Sequence, residues 1–135
     1  MKTFTLDANI MNLEGARDAD MICFVPTEES LLPCRADWRG VLIDALRRDV
    51  PVTAIVKGFD GVLMPEQYDA LCELLSYVSF IFTDSRSAEL FLKEPTFDAE
   101  EILRKIHKRF GVCSVILTDE GLAFDGEKIT NFTEE

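Results

Sequence analysis

Three carboxylates stand where an α/β protein usually does its chemistry. Asp7, Asp84 and Asp119 each fall at or just after an apolar or β-branched run that reads as a strand. In open α/β sheets ligands collect outside the carboxyl ends of the strands, and carboxylates converging there are the oxygen donors that magnesium prefers. Each residue also has a structural reading. Asp84 precedes a helix that it can cap, Asp119 opens a hairpin, and Asp7 closes an edge strand. The structural reading is the expected one, with a cation site held by the three carboxylates, Asp84 and Asp119 foremost and Asp7 with them, as the alternative.

The remaining reactive residues are scattered. His107 is the sole histidine, and histidine is the side chain whose unperturbed titration lies nearest neutrality. It borders the apolar face of a helix beside Leu103 and Phe110, with no nucleophile nearby in sequence, and reads as a surface residue. Cys23, Cys34, Cys72 and Cys113 are far apart and form no C-x-x-C pair, so they lack the spacing of a zinc site. Cys23 and Cys113 sit within apolar runs and are expected to be reduced core thiols. Gly40 has no glycines around it and reads as a close-packing position in a helix, not as a phosphate loop. Lys57 follows a middle strand, and no acidic pair follows the apolar run at 21–25. That order does not suit a response-regulator receiver.

Alternating strand and helix signals position these residues. Short apolar runs at 21–25, 52–56, 78–83 and 112–117 read as strands buried on both faces, and residues 2–6 add an edge strand. Between them, Trp38, Val41, Leu42, Ala45 and Leu46 recur at helical spacing, with Asp37 available as a cap and Pro51 as the limit. Pro65 and Glu66 open a helix whose stripe is Tyr68, Leu71, Cys72 and Leu75. Asp98 followed by Glu101 predicts a capping box for a helix with the apolar face Ile102, Leu103, Ile106 and Phe110, ended by Gly111. Residues 121–129 read as two short strands around an Asp-Gly turn. Strands separated by helices predict a single-domain, doubly wound, mostly parallel sheet with helices on both faces and a C-terminal β-hairpin, spanning residues 1–135.

From Asp18 to Phe132 the order and wording of these elements resemble the middle and later part of the ribokinase-like (PfkB) carbohydrate kinases. The segments that carry the likeness are DADMICFVP, VPVTAIVKG, LCELLSYVSFIFTDSRSAELFL, VCSVILTDEG and AFDGEKI. The resemblance implies an ATP- and magnesium-dependent phosphotransferase ancestry, with nucleotide contacts at Asp84, Ser87, Thr118 and Gly121 and metal contacts at Asp84 and Asp119. The chain departs from the family at these same places. The Asn-x-x-Glu motif has become Asp84 and Ser87, and the glycine of the Thr-x-Gly turn has become Glu120, with Gly121 one position later. The Asp-x-Asn-x-Arg element aligns with Ile55, Lys57 and Phe59 and keeps none of its polar groups. The Gly-Ala-Gly-Asp motif would lie beyond Glu135, and the sugar-binding region and lid before Met1. The expectation is a kinase-like domain without phosphotransferase activity of its own, acting in interaction or as a scaffold. A kinase fragment or subunit completed by a longer chain or a partner is the alternative.

Charge and composition narrow the partners. Twenty-five acidic against 14 basic residues leave a net charge of −11, which repels phosphate backbones and anionic lipid, so neither nucleic acid nor membrane is an expected partner. Arg104, Lys105, Lys108 and Arg109 are the one basic cluster and read as a solvated helix end. Without a transmembrane run or a secretory leader pattern, the expected location is the cytoplasm. Apolar surface left open by the regions the kinases add predicts a homodimer or a protein partner.

Overall fold

A computed structural model describes residues 2–6, 16, 18–26, 36–57, 63–93 and 98–131, the side chains of Ala36 and Asp37 excepted. In chain order the elements are β1 (Thr3–Leu6), β2 (Met21–Phe24), α1 (Ala36–Arg47), β3 (Val52–Val56), α2 (Pro65–Leu75), β4 (Phe80–Thr83), α3 (Ser85–Leu92), α4 (Ala99–Phe110), β5 (Ser114–Leu117), β6 (Leu122–Phe124) and β7 (Ile129–Asn131). They form one seven-stranded sheet in the order β1-β2-β3-β4-β5-β6-β7. The pairs from β1 to β5 are parallel, and β6 and β7 add an antiparallel hairpin. The expected mostly parallel α/β sheet with flanking helices and a C-terminal hairpin is therefore present.

Local chemistry accounts for the boundaries. α1 ends in a left-handed Asp49 at φ 58°, where Val50 N–H donates to Ala45 O at 2.9 Å and Asp49 N–H to Leu46 O at 3.3 Å. This pair of bonds makes a Schellman closure, with Pro51 just beyond. Asp37, expected as the cap of α1, instead falls inside the helix, which begins at Ala36. α2 opens with Pro65, and the Gln67 side chain reaches back to accept from Met64 N–H at 2.7 Å. Its buried face is Gln67, Ala70, Leu71, Leu74 and Leu75. Tyr68 and Cys72, expected on that stripe, are half-buried at its border. Asp98 caps α4 through Glu100 N–H at 3.1 Å. In place of the predicted box, Glu101 pairs with Lys105 at 3.1 Å. Gly111, at φ 65°, ends α4 as expected.

Register sorts the strand residues onto two unlike faces. Ile22, Val52, Ala54, Ile81, Val115 and their neighbours on one face are buried, together with Trp38, Leu42, Leu71, Phe91, Leu103 and Ile106 from the helices. Phe24 meets Trp38 edge-on in this layer, with ring centroids 5.7 Å apart. On the other face one row runs Cys23, Thr53, Phe80, Ser114 and the next runs Ile55, Phe82, Ile116, Ala123, Thr130. These are half-buried, apart from buried Thr53 and exposed Thr130. The helices, expected over both faces, thus gather over one among the described residues. The strand order supplies the reason: crossovers that are all right-handed and all step the same way must lie on the same side.

Three smaller expectations also change. Gly40 is exposed, and a Cβ there would meet nothing within 4 Å, so it is no close-packing position. Leu46 is 56% exposed, outside the core. Cys113 is exposed and Cys23 half-buried, so neither is a core thiol, while Cys34 lies outside the described residues.

Candidate functional site

The carboxyl ends of β3, β4 and β5 are tied together by two threonines. Thr83 Oγ donates to Val56 O at 2.8 Å, and Thr118 donates to Thr83 O through its N–H at 2.8 Å and its hydroxyl at 3.2 Å. Thr83 is completely buried, a position a hydroxyl tolerates only because it is bonded. This ledge supports the turn into α3 on one side and the turn from β5 to β6 on the other.

Both turns deliver a carboxylate to the amino end of α3. Asp84 has extended backbone at the cap position, and its Oδ1 accepts from Ser87 N–H at 2.7 Å. Asp119 reaches across from the β5–β6 turn, and its Oδ1 accepts from Ser85 N–H at 3.1 Å and from the Ser85 hydroxyl at 3.2 Å. The free N–H groups and the dipole of a helix start favour anions, and here the chain's own carboxylates take up those donors. Asp84 is thus the predicted cap, and Asp119 both enters the hairpin and buttresses α3. The Asp119–Ser85 contact had no local signature, since the partners are 34 residues apart.

The other expected residues are placed less favourably for a ligand. Ser87 is completely buried in the first turn of α3, so its position offers no surface for a metal or phosphate. Glu120 is exposed, and Gly121 is buried with φ 67°, so the left-handed glycine comes one residue after the carboxylate-bearing Glu120. Lys57 is exposed past the end of β3, and Asp7 and Phe59 lie outside the described residues. No group of three His, Cys, Asp or Glu side chains converges among the described residues. Asp84 and Asp119 are donors of the right type for magnesium, but each has an oxygen committed to α3. The donor set fits a metal poorly, and no chemical step is routed through one.

The basic cluster has internal work. Arg104 pairs with Glu100 at 3.6 Å and Lys105 with Glu101 at 3.1 Å. Arg109, expected to be solvated, donates to Phe91 O at 3.3 Å and to Leu92 O at 3.5 Å, closing the carboxyl end of α3. It also bonds the Tyr68 hydroxyl, and Lys93 Nζ sits 3.9 Å from the centre of the Tyr68 ring. Burial raises the Cys72 thiol pKa, which keeps this neighbour protonated. Leu92, Lys105, Lys108 and Arg109 border a cavity of about 370 Å³. It lies toward the last turns of α3 and α4, away from the ledge. His107, expected at the surface, is half-buried and edge-on to Phe124 at 5.2 Å.

The fold and this ledge define an open, mostly parallel α/β domain, and its ribokinase-like fold is shown by solved structures. Neither a family model nor a curated protein matches the sequence. Solved structures do match in fold. The PfkB protein from Polaromonas sp. JS666 superposes with a TM-score of 0.66 at 13% identity, over 90% of this chain and 42% of its own. The last common ancestor of two groups of vitamin kinases gives 0.63 at 19%, over 90% and 61%. Arabidopsis thaliana ribokinase, solved with ribose and ATP, gives 0.60 at 22%, over 90% and 38%. The chain thus spans between 38% and 61% of the length of these kinases. No helix among the described residues is long and apolar enough to cross a membrane.

Proposed function

We propose that this chain is a PfkB-type carbohydrate-kinase-like domain that serves as an interaction or scaffold module and does not transfer phosphate by itself. The occupied amino end of α3 carries the reading. Phosphoryl transfer depends on positioning and on neutralising the charge of the phosphates. Here two carboxylates take the helix-end donors at 2.7 and 3.1 Å, and Glu120 adds a third negative group in the adjoining turn. A phosphate approaching the ledge meets repulsion where a kinase needs attraction. Three free thiols among the described residues suit a reducing compartment, and the reading places the chain in the cytoplasm.

The test is a coupled ADP-release assay over pentoses, hexoses and nucleosides, with calorimetry for ATP. Binding of ATP without turnover is compatible with the proposal, since an adenine needs only an apolar groove. Sugar-dependent turnover above background ATPase overturns it. A second reading is a fragment or subunit of an ATP-dependent sugar or nucleoside kinase, completed by a longer chain or a partner. The partial coverage of the kinases favours it. Turnover that appears only when adjoining coding sequence is included would establish that reading.

A further inference from the structure

We draw no further inference here: the strongest candidate, the cavity bordered by Leu92, Lys105, Lys108 and Arg109 at the last turns of α3 and α4, has Arg109 committed to the Phe91 and Leu92 carbonyls and Lys105 paired with Glu101, and nothing in the structure shows what ligand would fill it.

Discussion

Replacing Asp84 with alanine separates a structural carboxylate from a metal-binding one. The substitution removes the acceptor of the 2.7 Å bond from Ser87 N–H, and Ser87 is completely buried, so water is a poor substitute partner. Losing an N-cap costs about 0.5–2 kcal/mol, and burial puts this case near 1.5 kcal/mol. α3 has only eight residues, too few to hold its first turn without the cap. At about 2.1 cal/mol/K per residue, 135 residues give a melting entropy near 280 cal/mol/K, so the expected drop in Tm is about 5 °C. Asp84→Asn keeps a cap acceptor and should lower the Tm by about 1 °C at most. Differential scanning calorimetry with and without magnesium measures both effects. The reasoning fails if the alanine variant melts with the parent, or if asparagine costs as much as alanine. It also fails if magnesium raises the parent's Tm and Asp84→Asn abolishes that shift, in which case the metal reading replaces the cap.

Two glycines should respond in opposite directions to alanine. Gly40→Ala, in an exposed helical position with open space around it, should stabilise by about 1 kcal/mol in urea unfolding. Gly126→Ala should destabilise by more than about 1 kcal/mol, because φ is 95° and the new Cβ would lie 2.9 Å from His107 Nε2. In the hairpin, N–H groups of Lys128 and Glu127, both 2.9 Å away, hold the Asp125 carboxyl below its usual pKa. Its contribution is complete above the unfolded value of 3.8 and is lost as pH falls through the lower folded value. Asp125→Asn should therefore flatten the stability profile on the acid side of about pH 4 and leave its slope at neutral pH unchanged.

Much of the architecture was legible because its causes are local. Apolar runs became β2 to β5, Pro65 opened α2, Asp84 and Asp98 capped their helices, and Gly111 ended α4. The caps and the glycine stop depend on contacts within a few residues and the strands show as continuous apolar runs, and a linear pattern records both. The errors had a different origin. Asp37 and Leu46 failed because a helical stripe specifies a face but not its rotation or starting residue. Gly40 failed because glycine in a helix is silent about what lies beside it.

By itself the sequence determined the parallel α/β class, the starts of α2, α3 and α4 and the glycine that ends α4. Only the tertiary structure decided that Asp119 closes on Ser85, that Arg109 closes the carboxyl end of α3, and that one sheet face stays clear of the described helices. These depend on groups separated by 34 and 18 residues, and on the direction in which successive crossovers step. No local propensity encodes such pairings, because they exist only after the strands have taken their order.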